Sequence, residues 1–256
     1  AMIPVSLERI RRERDLALSL SFPSKSMEYA LMILDELKEI GVSEIYFVEK
    51  AGSLTPLVLG KGYRGLVVKG RIEDQPAALK ILRTDASING LLKEAEATSL
   101  ANSVAVGPKL LGSSKHVLAL EFIEGSSIDS WLRDLPEERL SDLRIVLRRC
   151  FEDARRLDEI GLDHGELSDA KKHIIVRSDL KPVIIDFGKA SRTRKPRNVT
   201  SLFSYFSFGP HSQKVLGMLG VRDPPLTHAK RYKRELSHSS FKDLLRALNL
   251  LEESLS

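Results

Sequence analysis

Asp186-Phe187-Gly188 ends the apolar run Val183-Ile184-Ile185. An acid at the end of a buried strand, closed by a glycine turn, is a place to hold a divalent metal. The tripeptide is short, but it is the last of five groups that come in a fixed order. Ahead of it stand Gly60-Lys61-Gly62-Tyr63-Arg64-Gly65-Leu66-Val67, the single cation Lys80 inside Ala77-Ala78-Leu79-Lys80-Ile81-Leu82, the helix carboxylates Glu94 and Glu96, and Asp163-His164-Gly165-Glu166-Leu167. Glycines let backbone approach anionic oxygens, a cation pairs with those oxygens, and carboxylates hold a metal or take a proton. Together these are the parts of phosphoryl-transfer chemistry.

The glycine pattern is G-x-G-x-x-G-x-V. A dinucleotide fold would start a helix at these glycines, but Leu66-Val67-Val68-Lys69 is β-prone and continues as a strand. A phosphate loop ending in Gly-Lys-Ser/Thr is excluded by Leu66 after Gly65. The context predicts a hairpin of two strands over a nucleotide. In the strand that follows, alternation puts Ala78, Lys80 and Leu82 on one face. A cation on that mostly apolar face needs an anionic partner, which phosphate oxygens or a helix carboxylate would supply.

The elements around these residues read as follows. Residues 7–20 are rich in Arg and Leu and predict a helix, broken at Phe22-Pro23. Ser26 caps a second helix over residues 27–40, stopped by Gly41. Its apolar positions, Met27, Ala30, Leu31, Leu34 and Leu37, fit an amphipathic helix docked on the following sheet, with a partner or nucleic-acid contact as the alternative. Strands are predicted at residues 45–48, 57–59, 66–69, 77–82, 106–111 and 117–122, with a helix at about 87–101. Residues 126–132 begin helical sequence. A long helix over 136–161 buries Leu140, Leu143, Val146, Leu147, Cys150, Ala154 and Leu157. Two short strands, 174–176 and 183–185, bracket a polar turn, and further helices are expected near 212–219 and 239–251.

The chain has 256 residues, 42% hydrophobic and 29% charged, the balance of a globular protein. No apolar run approaches the roughly 18 residues of a membrane span. Arg9, Arg11, Arg12, Glu13 and Arg14 interrupt any secretory leader at the start, and the single Cys150 cannot form an intrachain disulfide. These features point to a reducing, cytoplasmic setting. The net charge of +5 permits acidic ligands or RNA without demanding them. The basic clusters 192–197 and 230–234 read most simply as solvated faces, with RNA, ribonucleoprotein or an acidic partner as the functional alternative.

The ordered set resembles the protein-kinase-like superfamily over residues 57–191. The resemblance implies that Gly60, Gly62, Gly65 and Val67 cover the ATP phosphates. It implies that Lys80 pairs with them, and that the helix Glu orienting Lys80 is Glu94 rather than Glu96. Glu121 and Ile123 fall on the connector whose backbone meets adenine, Glu166 stands where the catalytic carboxylate accepts the hydroxyl proton, and Asp186 holds Mg²⁺. His-Gly in place of His-Arg is similar to the atypical branch, which includes RIO kinases, the KEOPS-complex kinase, and aminoglycoside and choline kinases. Small archaeal Ser/Thr kinases related to the RIO and KEOPS enzymes are the nearest likeness.

Two departures stand out. Glu166 replaces the usual Asp, one methylene longer. His173 occupies the place of the metal-binding Asn, after a loop about two residues longer than the family pattern. Imidazole is a poor ligand for Mg²⁺, so the resemblance implies a single well-held ion on Asp186 and His173, with Mn²⁺ supporting it better. Ser168, Asp169, Lys171 and Lys172 are the loop residues that could adapt, with a lysine on the γ-phosphate.

The expected fold is α+β, two-lobed and protein-kinase-like. It has an N-terminal helical extension (1–44), an N-lobe (45–124) and a reduced C-lobe (125–256). The expected reaction is slow transfer of the ATP γ-phosphoryl group to a Ser/Thr hydroxyl of an unidentified protein, including the chain itself. The alternatives are a nucleotide-binding pseudokinase or ATPase switch on a ribonucleoprotein, and a small-molecule kinase of the aminoglycoside or choline type. The short C-terminal part counts against the last.

Overall fold

The computed structural model describes residues 1–62 and 64–251; Tyr63, inside the glycine motif, lies outside the described residues. The chain divides into two compact units, Ala1–Ser99 with Pro108–Phe122, and Leu100–Gly107 with Ile123 onward.

The first unit is built on an antiparallel sheet. In chain order its elements are β1 (Met2–Ser6), α1 (Leu7–Arg12), α2 (Arg14–Leu18), α3 (Met27–Ile40), β2 (Val42–Lys50), β3 (Ser53–Pro56), β4 (Val58–Lys61), β5 (Gly65–Ile72), β6 (Gln75–Leu82), α4 (Ile88–Asn102), β7 (Leu110–Ser113) and β8 (Val117–Glu121). The strand order is β1-β2-β5-β6-β8-β7, with β3 added to β2 and β4 to β5. β4 and β5 form the hairpin expected at the glycines, with Gly60 opposite Val67.

The sheet keeps separate company on its two faces. Ile45, Phe47, Val68, Leu79, Ile81 and Ala119 pack against Ile10, Leu16, Leu20, Ile33, Leu34 and Leu37 of the N-terminal helices. Each fully buried side chain of this kind contributes about 1.5–3 kcal/mol. Leu82 and Leu118, one residue out of phase, pack instead with Leu91 and Ala95 of α4. This alternation matters for function, because Lys80 shares the face of Leu82 and so faces α4.

The helix over residues 27–40 is capped as its sequence predicts. The Ser26 hydroxyl accepts from the Tyr29 N–H at 3.2 Å, and Gly41 ends the helix at φ 103°. The stretch before it departs from expectation. Residues 1–44 are not helical throughout, since β1 pairs with β2 along its whole length, while the helix over 27–40 docks on the sheet as its apolar face predicts. The strand expected at 106–111 is confined to Leu110–Ser113, because Ala105 and Gly107 take positive φ.

The second unit contains β9 (Ser126–Ser127), α5 (Ile128–Asp134), α6 (Leu140–Glu159), β10 (Ile174–Val176), β11 (Pro182–Ile184), α7 (Asn198–Phe208), α8 (Ser212–Leu219), α9 (Leu226–Glu235) and α10 (His238–Ala247). The order of its small antiparallel sheet is β11-β10-β9. The α6 core face holds Leu143, Val146, Leu147, Cys150, Phe151, Ala154 and Leu157, while Leu140 is only half-buried. α7 and α9 are additional to the helices the sequence predicts. The fold is α+β and kinase-like, as expected. Among the described residues no helix is long and apolar enough to cross a membrane.

Candidate active site

In the first unit, β6 holds Lys80 between Val67 of β5 and Leu118 of β8. Its Nζ donates to both Glu94 carboxylate oxygens, at 2.8 and 2.9 Å. The Glu94 side chain is 1% exposed and that of Lys80 12%. Two charges so far from water persist only because each meets the other with good geometry. Ala95 and Leu91 turn α4 toward the sheet, which carries Glu94 inward and leaves Glu96 exposed. The Glu94 carbonyl also accepts from the Thr98 hydroxyl at 2.8 Å.

The three motif glycines differ in what surrounds them. A Cβ on Gly65 would lie 2.8 Å from Lys80 Cγ and 2.9 Å from the Ile81 carbonyl oxygen, so this glycine is required by the lysine stem itself. Gly60 has open space around it, and the Gly62 N–H closes the hairpin turn on the Gly65 carbonyl at 2.9 Å. Glu121 ends β8 half-buried; its carboxylate accepts from the Lys109 N–H at 3.2 Å and its own N–H donates to the Lys109 carbonyl at 2.8 Å. Ile123 is half-buried and is the first residue of the second unit's main segment.

In the second unit, β10 and β11 fix the spacing of the chemistry. The Ile185 N–H donates to the His173 carbonyl at 2.8 Å, which sets His173 beside the end of β11 and so beside Asp186. Asp186 lies in the left-handed region at φ 63°, a conformation that Asp tolerates better than most residues, and its Oδ1 accepts from the Gly188 N–H at 3.2 Å. Phe187 is buried against the His164 ring, 5.1 Å between centroids, and against Gly107, where a Cβ would come within 3.0 Å of the phenyl ring.

His164 is the joint between the two loops. Its Nε2–H donates to the Ile185 carbonyl at 2.9 Å, and its Nδ1 accepts from the Glu166 N–H at 3.2 Å. These two bonds require the neutral ring, and burial holds its pKa below the ordinary histidine value. Gly165 follows at φ 94°, with the Arg194 guanidinium 2.6 Å from where its Cβ would stand. A glycine after the histidine is therefore demanded twice, by conformation and by space. Arg194 in turn donates to Asp163 at 2.6 Å and to the Lys189 carbonyl at 2.9 Å.

Beneath the loop is a buried polar anchor. The Asn198 side-chain oxygen accepts from the His164 N–H at 2.8 Å, and its amide donates to Asp158 at 2.9 Å and to the Leu162 carbonyl at 2.7 Å. Tyr232 donates to the other Asp158 oxygen at 2.6 Å. Burial raises the Asp158 pKa despite these donors. α7 and α9, the two helices the sequence reading missed, supply Asn198 and Tyr232.

Glu166, His173 and Asp186 converge, each offering a ligand atom within 4.8 Å of the others. The donor set of two carboxylates and one imidazole fits a divalent ion, Mn²⁺ better than the all-oxygen preference of Mg²⁺. Glu166 was expected as a base only, yet the geometry also places it among possible ligands. The loop after it opens with a 3₁₀ turn, Leu167–Asp169, and a second turn at 171–173 leads into β10. The lysine nearest Glu166 is Lys189, with Nζ 3.3 Å from Oε1. Of the loop lysines, Lys171 lies 3.9 Å from Asp169 and Lys172 is exposed. Lys189 carries no spacing signal, although its place directly after Asp-Phe-Gly does.

A family model of the RIO domain matches residues 71–204, more than half of the chain. The chain belongs to the RIO domain family. The match takes in Lys80, Glu94, Glu121, Ile123, Glu166, His173 and Asp186, and begins after the glycine motif. It places the chain among atypical kinases and ATPases of kinase-like fold, a family that generally uses ATP and Mg²⁺. A search of curated proteins returns no match.

Proposed function

We propose that this RIO-domain protein transfers the γ-phosphoryl group of ATP slowly to a Ser or Thr hydroxyl, its own included. The observation that carries the reading is the two-pronged grip of Glu94 on Lys80, which holds an ammonium ready for phosphate oxygens. The Gly60–Gly65 hairpin covers the phosphates, and Glu121 and Ile123 supply backbone to the adenine. Asp186 and His173 hold a divalent ion, which neutralises charge on the phosphates when bound. Glu166 accepts the proton of the attacking hydroxyl, and its peptide N–H, bonded to His164, fixes where that carboxylate starts. Its extra methylene is the reason for a slow reaction, since a misplacement near 1 Å costs about 100-fold.

A second reading, a nucleotide-gated ATPase switch on a ribonucleoprotein, is favoured by one contact. Lys189 lies 3.3 Å from Glu166 and competes with an acceptor hydroxyl for that oxygen. Buried Cys150, its thiol pushed up by desolvation, supports a structural rather than redox role and with it a reducing, cytoplasmic setting.

The test is γ-labelled ATP with Mg²⁺ or Mn²⁺, following label to protein and to water, for wild type and Glu166→Gln at matched ATP saturation. Label on Ser or Thr that falls about 10²–10⁴-fold in the variant supports the kinase reading. Equal rates in both, with label only in water, replace it with the switch.

A further inference from the structure

Two basic stretches that lie apart in the sequence, 192–197 and 230–234, meet in the second unit. The Lys195 Nζ donates to the Lys233 carbonyl, in the last turn of α9, at 3.3 Å. The first stretch is stapled beside the loop that carries Glu166. Ser191 and Asp163 exchange backbone hydrogen bonds at 2.9 and 3.0 Å, and the Arg197 N–H donates to the Asp163 carboxylate at 2.9 Å. The Ser191 hydroxyl accepts from the Thr193 and Arg194 N–H groups at 3.2 and 3.0 Å. With the Arg194 guanidinium against Gly165, these bonds make the stretch a short ordered shelf beside His164-Gly165-Glu166.

Only some of the cations there are neutralised. Arg194 is paired with Asp163, and Arg231 with Glu235 and Asp243. Arg192, Lys195, Arg197, Lys230, Lys233 and Arg234 are exposed, and among the described residues none of them forms an ion pair. Lys233 and Arg234 gain from the carbonyl end of α9. Lys230 lies a turn earlier, four residues before Arg234, where like charges repel. Arg197 is worse placed, because it is the N-cap residue of α7, the end of a helix that disfavours cations. An anionic partner would relieve both repulsions.

Two features favour a protein segment over RNA as that partner. Neither stretch exposes a Phe, Tyr or Trp on which an unpaired base could stack, since Tyr232 is 1% exposed. The shelf is also tied to the loop of Glu166, the place of the acceptor hydroxyl. We propose that this basic surface binds carboxylate side chains flanking the acceptor Ser or Thr, so that the substrate is an acidic protein segment. This role rests on the Ser/Thr transfer reading above and gives that reading a sequence preference.

The experiment uses the full chain and three fluorescent peptides of equal length. Each has one central Ser, flanked by Asp and Glu, by Gly and Gln, or by Lys and Arg. Anisotropy reads binding, and γ-labelled ATP reads transfer. The acidic peptide should bind most tightly, and its lead over the neutral one should shrink from about 0.05 to 0.5 M salt, because the cations are exposed. Lys230→Glu combined with Arg234→Glu should weaken the acidic peptide about fivefold or more and raise its KM alike. The same variant should leave kcat, the neutral peptide and ATP-induced stabilisation unchanged, which separates recognition from damage to the fold. Lys195→Glu, on the other stretch, should act in the same direction. Equal binding of acidic and neutral peptides, or an acidic peptide indifferent to both variants, overturns the surface. So does a labelled RNA strand that binds more tightly than the acidic peptide and is released by the double variant. An acidic peptide held by these cations but never labelled upholds the surface and counts against the transfer reading.

Discussion

The Lys80–Glu94 pair and the Glu166–His173–Asp186 group are both clusters of charge on buried elements, but they are finished to different degrees. In the first, both carboxylate oxygens meet the ammonium within 2.9 Å, and packing on α4 and β6 leaves almost no water. In the second, Lys189 and His173 approach the Glu166 carboxylate only to 3.3 and 3.7 Å, and the Nδ1 of His173 is buried without a hydrogen bond. The difference teaches where the protein keeps a complete interaction and where it keeps room for one. A region that must hold an arrangement closes it with its own residues; a region that must receive something leaves its donors facing each other at ligand distance.

The sharpest way to break the comparison is to open the closed half. Lys80→Ala takes the ammonium away from a carboxylate that is 1% exposed, which should lower unfolding stability by roughly 3–5 kcal/mol and abolish stabilisation by ATP. Adding Glu94→Leu to Lys80→Met should restore most of the stability, because an apolar pair needs no partner, while ATP binding stays lost. Urea unfolding with and without ATP reads both effects. If Lys80→Ala is as stable as wild type, the pair is not the closed element described.

The open half depends on its anchor. Asn198→Ala leaves the His164 N–H without its acceptor and takes a donor from Asp158, at about 1–3 kcal/mol for each buried group left unsatisfied. It should also loosen the Glu166 loop, seen as faster amide exchange at Glu166, while the ATP-induced shift through Lys80 persists.

A smaller effect is set by pH. His164 has a folded pKa below its unfolded value, so the unfolded chain takes up the proton first. Stability from the neutral ring is therefore present above about pH 6.5 and is lost as pH falls through the depressed value, with a slope of at most about 1.4 kcal/mol per unit. Imidazole NMR shifts should show His164 neutral where a free histidine is half-protonated; ordinary titration near 6.5 would contradict the two-bond geometry. Smallest of all is Lys61→Ala. Lys61 is exposed and lies 5.1 Å from the Phe22 ring, so the change should stay within about 0.5 kcal/mol and leave ATP affinity intact.

Much of the closed half was legible in the sequence, because it is local and periodic. Strand alternation put Lys80 on the face of Leu82, and the hairpin followed from β-prone residues after Gly65. The choice of Glu94 over Glu96 came from the resemblance; in space, burial of Leu91 and Ala95 separates them. The anchor of the open half was not legible. α9 carries four Lys or Arg side chains and buries only Ala229 and Tyr232, so its apolar signal is faint. α7 is rich in aromatic and β-branched residues that suit a strand equally well, although Val199, Leu202, Phe203 and Phe206 do recur at helical spacing. β1 was missed because five residues gain strand geometry only by pairing with β2, some 40 positions later. The approach of Lys189 to Glu166 depends on how two loops fold back, which no spacing encodes.

The pairing of β1 with β2 has a practical side. The RIO match opens at Arg71, near the end of β5, and a fragment cut there would discard β1–β4 and α1–α3. Val68, Leu79, Ile81 and Ala119 share a core with those lost pieces, so cutting there removes Val68 and uncovers Leu79, Ile81 and Ala119, while β6 becomes a bare edge beside the stub of β5. Such a fragment would be sticky and quickly digested, and an inactive preparation of it would say nothing about the longer chain. The stretch that a family shares and the stretch that can be purified are different lengths here, and expression work should begin from the first strand.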